Sequence, residues 1–166
     1  NLHGTFPARK NARFLMEKLT SFSAAMLMAI LMSGPAWAFG GDDSSTDASA
    51  AGALVKQARE LIDNKTYKQA IGVLEKAITA SDKNADAYNL LGYSQRKLKK
   101  FAAAEASYGQ ALTIDPSHKG ALEYLGELYL ETNRRNKAQE MLSRLEDVCS
   151  LGCEELDELK QKIEAF

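Results

Sequence analysis

The chain predicts an all-α solenoid of three helix–turn–helix repeats closed by a C-terminal capping helix. Two observations carry that expectation. Small and apolar residues recur at matching offsets in three consecutive windows, 51–84, 85–118 and 119–152. Within the windows, apolar residues fall three, four or seven apart, which gives each helix one apolar face. A period of 34 residues suits one helical hairpin, which cannot bury its apolar face alone and must stack on a neighbour.

Taken in order, the first 38 residues read as an address. Arg9, Lys10, Arg13 and Lys18 precede the apolar run 22–33, a Gly34-Pro35 break and the small-residue site Ala36-Trp37-Ala38. This is the pattern of a secretory signal peptide, with cleavage expected after Ala38. The run is about 12 residues, short of the roughly 20 a helix needs to cross the hydrocarbon core, so no stable membrane anchor is expected after cleavage. No cysteine stands at the cleavage site to take a lipid. The sequence begins at Asn1, and Met16 opens a compact signal-peptide start, so residues 1–15 are expected to be translated upstream sequence. Residues 39–51 are small, polar and acidic, with little to bury, and are expected to form a disordered linker.

The formal net charge of −1 hides an asymmetry between these ends. Beyond residue 38 there remain 17 basic and 21 acidic residues, a net of −4. A mildly acidic body without a basic stripe has no field to draw in nucleic acid, so that partner class is excluded.

In the middle window the recurring residues are Tyr88, Leu91, Gly92, Ala104, Tyr108, Ala111 and Pro116. Leu125, Gly126, Tyr129 and Ala138 repeat them in the third window, and Ala70 and Ala77 in the first. Gly92 and Ala104 remove bulk where paired helices approach, and Pro116 ends a helix. Helices are expected over 52–64, 67–80, 85–98, 101–114, 119–132 and 135–148. The last segment, 153–166, sets Leu156, Leu159, Ile163 and Phe166 on one side of a helix. Its early acids and later lysines suit the helix dipole, and it reads as the cap that covers the last repeat.

Cys149 and Cys153 are the only cysteines and flank Ser-Leu-Gly at the joint before the cap. An oxidising destination favours a disulfide between them, with Gly152 allowing the sharp turn. Closing so short a loop stabilises by roughly 2 kcal/mol on the chain-entropy view. Free buried thiols and a redox pair remain as alternatives. The Cys-x-x-Cys-His of haem attachment is absent, and a zinc site lacks ligands, since His118 is the only histidine after residue 38. No cofactor and no metal are expected.

The windows resemble tetratricopeptide repeats. That family places a bulky residue at repeat position 4, Leu-Gly at 7 and 8, Tyr at 11, Ala at 20, an aromatic at 24, Ala at 27 and Pro at 32. Window 85–118 matches all but Gln95; the outer windows are degenerate, as terminal repeats are expected to be. The resemblance implies a right-handed superhelix whose first helices line a concave, peptide-binding groove. Carried over by position, the groove residues are Arg59, Asn89, Tyr93, Arg96, Lys97, Glu123 and Glu127, with Val55, Ile62, Asp63, Asp86, Leu130 and Glu131 beside them. It should be basic over the middle repeat and acidic over the third, with Tyr93 as an anchor. The family's clamp for the C-terminal carboxylate of chaperone peptides needs Lys, Asn, Asn, Lys and Arg. Val55, Arg59, Leu90, Gly120 and Tyr124 stand there, so no such clamp is expected.

In layout the chain is also similar to small exported bacterial repeat proteins ending in a cysteine pair and a cap helix, which points to the periplasm. No nucleophile motif, phosphate loop or metal motif is readable, so the expected function is not enzymatic. It is an exported protein–protein interaction module, a scaffold or assembly adaptor holding a protein or peptide in the groove. Two alternatives stand beside it: a thiol-active protein using Cys149 and Cys153, and a regulatory subunit of an envelope enzyme or secretion complex.

Overall fold

Seven helices and no strand make up the described residues: α1 Asp43–Asp63, α2 Tyr67–Ala80, α3 Ala85–Lys97, α4 Phe101–Ile114, α5 Lys119–Glu131, α6 Arg135–Val148 and α7 Glu154–Ala165. The computed structural model describes residues 43–166, with side chains from residue 48. The expected signal peptide, its cleavage site and residues 39–42 of the linker lie outside the described residues.

One boundary departs from the sequence reading. α1 begins at Asp43 rather than at 52, so most of the segment expected as a disordered linker is helical. Its composition lacks large apolar residues, but alanines at 48, 50, 51 and 53 are the best helix formers. Ala51 is fully buried, so the packed body starts inside that segment. The other helix ends lie within one residue of the expected spans.

The repeat is also written in the backbone. Lys65, Lys99 and Asn133 occupy the left-handed region, with φ of 56°, 58° and 58°. Each follows the first helix of a hairpin. At each, the next amide reaches back to close the helix end: Thr66 to the Leu61 carbonyl, Lys100 to Gln95, Arg134 to Tyr129. This is the Schellman closure, which satisfies otherwise orphaned carbonyls and offsets the strain of a side chain at positive φ. At the other end, Asn84 and His118 side chains accept the amides of Ala87 and Ala121, capping α3 and α5.

Within repeats the pairs are α1 with α2, α3 with α4 and α5 with α6. Successive hairpins meet through α2–α3 and α4–α5, while α1, α3 and α5 lie side by side, and α7 packs on α5 and α6. Ala70, Ala77, Ala104, Ala111 and Ala138 are fully buried, because a methyl is all the closest approaches admit. Gly92 takes the Tyr108 ring: a Cβ there would stand 2.7 Å from two ring carbons. Gly126 takes a different neighbour. A Cβ on it would stand 2.6 Å from Leu159 Cδ2, so this glycine admits the cap rather than its own hairpin partner. Leu159 and Ile163 are buried there, while Glu154, Asp157, Lys160, Gln161 and Glu164 of α7 face water. That polar outer face ends the stack.

At the α6–α7 joint the sulfurs of Cys149 and Cys153 lie 2.13 Å apart, at disulfide distance, with Cα atoms 5.7 Å apart. Gly152 makes the turn with φ of 86°, and its amide bonds the Cys149 carbonyl at 2.7 Å. Among the described residues no helix is long and apolar enough to cross a membrane.

Candidate functional site: a tyrosine-walled groove

The side-by-side first helices α1, α3 and α5 frame a cleft of ≈ 270 Å³ lined by Arg59, Ile62, Asp63, Leu90, Tyr93 and Tyr124. Ile62 and Leu90 supply apolar surface, Tyr93 and Tyr124 the aromatic walls, and Arg59 and Asp63, one turn apart on α1, the charged rim. Tyr93 stands at the centre of an aromatic run: its ring centroid is 5.0 Å from Tyr124 and 6.4 Å from Tyr67. Burial raises the pKa of both phenols, Tyr93 against the lowering charge of Arg96, and Tyr124 to about 12 with help from Glu123. Both hydroxyls therefore stay protonated and able to donate.

Beside the cleft lies a chain of charges. Arg96 is only 3% exposed; its guanidinium carbon lies 5.6 Å from the Tyr93 ring centre and 5.7 Å from that of Tyr124. It pairs with Glu127 at 2.6 Å and with Glu131. Burial alone would lower its pKa, but Tyr108, Glu127 and Glu131 outweigh it and the net shift is upward, so Arg96 stays charged. Glu127 in turn contacts Lys162 of the cap, which also reaches Glu123 at 3.5 Å and Glu158 at 3.1 Å.

The seven residues carried over as groove positions thus divide. Arg59, Tyr93 and Lys97 are accessible, Arg59 in an exposed pair with Asp86 at 3.3 Å and Lys97 with its ammonium 5.0 Å over the Tyr93 ring. Arg96 and Glu123 are buried and Glu127 nearly so, all drawn into the ion network. Asn89 is buried too, with its Oδ1 unpartnered. The expected basic-to-acidic gradient is therefore largely cancelled by pairing inside the protein. Leu90 and Tyr124, considered only as clamp positions in the sequence, prove to be walls of the cleft. They follow the fifth position of each first helix by one residue, and that neighbouring position is the signal that could have found them. Lys162 had only its Glu158 spacing to announce it.

Stacked helical hairpins whose first helices share a lined cleft define a helical repeat protein. Family profiles described as tetratricopeptide repeat match residues 55–119 and 95–148, together more than half of the chain. The chain belongs to the tetratricopeptide repeat proteins. It is 28% identical over 89 residues to tetratricopeptide repeat protein 37 of Xenopus laevis, a match covering 54% of this chain but only 6% of that protein. Among solved structures it is similar to the Arabidopsis OM64 TPR domain (TM-score 0.65, 16% identity, 72% of this chain and 98% of that one). The first TPR of Spaghetti bound to an HSP90 peptide is alike (0.64, 22%, 71% and 93%). So is the Yersinia enterocolitica type III secretion chaperone SycD in complex with a peptide of the translocator YopD (0.61, 16%, 69% and 86%). At these identities the likeness is one of fold.

Proposed function

We propose that this chain is an exported, non-catalytic interaction module that holds a peptide segment of a partner protein against α1, α3 and α5. The observation that carries this reading is the cleft between Tyr93 and Tyr124. It has apolar surface for an anchoring side chain, phenol hydroxyls for main-chain carbonyls and one charge of each sign at its rim. Peptide complexes of similarly folded domains support the reading as precedent for the fold. This reading does not use the chaperone carboxylate clamp, because Leu90 and Tyr124 stand where that clamp places polar groups.

The test is cross-linked capture from a bacterial cell envelope with residues 39–166, beside Tyr93→Ala and Arg59→Glu variants whose circular dichroism matches the parent. A partner held by the parent and lost from both variants is the expected result. Equal recovery by all three sinks the groove assignment. The identity of a captured partner also decides whether the module acts as a general scaffold or as a subunit of an envelope enzyme or secretion complex.

The thiol-active alternative is less well supported. Cys149 is buried, which limits access to its sulfur. Export has its own check. Trp37 is the single tryptophan, so protein recovered from the periplasm is expected to show tyrosine emission alone. Tryptophan emission from that fraction would mean the segment is retained.

A further inference from the structure

Between α5 and the capping helix, carboxylates outnumber cations. Glu123 and Glu127 of α5 and Glu158 of α7 bring carboxylate oxygens within 4.8 Å of one another. Lys162 of α7 stands among them, in contact with all three. From α3, Arg96 reaches only Glu127, and its other partner is Glu131. The facing titratable groups are thus Arg96 and Tyr93 on α3, Tyr108 on α4, Glu123, Tyr124, Glu127 and Glu131 on α5, and Glu158 and Lys162 on α7. No ion pair among the described residues joins α6 to this cluster. Fully ionised, the carboxylates carry four negative charges against two positive ones. Glu123 is the worst placed, 4% exposed and no nearer than 3.5 Å to the ammonium. Burying such a charge is costly unless it is neutralised.

We propose that this cluster is a pH-operated latch on the cap. A proton on buried Glu123, whose carboxylate lies within 4.8 Å of those of Glu127 and Glu158, holds α7 against α5, and full ionisation loosens α7 and uncovers the acidic end of the concave face. The latch stands whether or not the neighbouring cleft binds a peptide.

The titration behaviour agrees with the geometry. Burial, then a hydrogen bond with Glu158 and the charge of Glu127, push the Glu123 carboxyl up to about 8. Hydrogen bonds from Lys162 and then from Glu123 hold Glu158 below its ordinary value. A pKa raised by docking means that the docked cap binds the proton more tightly than the loosened one. Docking is therefore strongest below the ordinary carboxyl range, weakens as pH rises from there toward about 8, and levels off above it. Glu158 acts oppositely, but only below the ordinary range, so Glu123 sets the sign between.

The experiment uses the full chain with its cysteine pair oxidised. Carboxyl titrations are followed by NMR, and α7 amide protection is compared at pH 5.5 and 8.5 after correction for intrinsic exchange. Expected are one glutamate titrating well above pH 6 and α7 protection about tenfold or more lower at the higher pH, with α2 and α4 unchanged. Glu123→Gln keeps the shape and removes the charge, so its α7 protection should not depend on pH and should exceed wild type at pH 8.5. Glu158→Gln, a second variant should the first misfold, should shrink the pH effect. The latch is overturned if every glutamate titrates below pH 6, if α7 protection is equal at both pH values, or if a folded Glu123→Gln keeps the wild-type dependence.

Discussion

Arg96→Ala is expected to destabilise the protein by about 3 kcal/mol, the lower end of the ~3–5 kcal/mol typical of breaking a buried ion pair. For a domain of this size that is a fall of about 10 °C in Tm. The guanidinium is almost fully buried and binds Glu127 and Glu131 while lying beside the paired rings of Tyr93 and Tyr124. Its removal leaves Glu127 to Lys162 alone and opens a void beside the two rings. Lys162 and the exposure of Glu131 keep the cost from the upper end. Arg96→Lys should recover only part of the loss, because the shorter side chain carries its charge less far and an ammonium lacks the flat, weakly hydrated surface that the guanidinium sets beside the two rings. Thermal denaturation of the three proteins checks this. A groove side chain waiting for a ligand would behave differently: Arg96→Ala would then melt like wild type and lose only binding.

Tyr108→Ala is expected to cost about 3–5 kcal/mol, the range for removing a fully buried aromatic. Tyr108 is the largest fully buried side chain among the described residues and lies against Gly92. Its hydroxyl, near Arg96, makes no well-formed hydrogen bond, and burial pushes its pKa far above that of an ordinary phenol. Tyr108→Phe should therefore stay within about 1 kcal/mol of wild type, since it deletes an unsatisfied group and leaves the packing. The same contact predicts strong coupling. Gly92→Ala drives a methyl into the ring and should destabilise the parent. In the Tyr108→Ala background it has no ring to meet, and helix propensity makes it neutral or favourable. A denaturant double-mutant cycle measures the difference, and additive costs would mean that the glycine serves something other than this ring.

The fold was legible because its determinants are local and repeated. Gly92, Ala104 and Ala111 report close helix approach wherever they stand, and the spacing of Leu156, Leu159 and Ile163 announces an amphipathic cap without reference to anything distant. The start of α1 was less legible. Residues 43–51 carry helix propensity in small residues but little apolar surface, and only packing around Ala51 reveals them as part of the body. The site was legible in outline. Tyr93 stands in the cleft where the family resemblance placed it, whereas Arg96, Glu123 and Glu127 carry charges that look available in sequence and are consumed in the structure.

By itself, then, the chain of residues determined the repeat length, the seven helices, the turns and the cysteine joint, since each depends on neighbours within one hairpin. Only the tertiary structure decided which charges remain free. Arg96 and Glu131 are 35 residues apart and Lys162 and Glu123 are 39 apart, pairings that no helical spacing encodes. They arise because stacking brings the first helices and the cap side by side. There, in a low-dielectric seam, opposite charges must meet one another or stay in water.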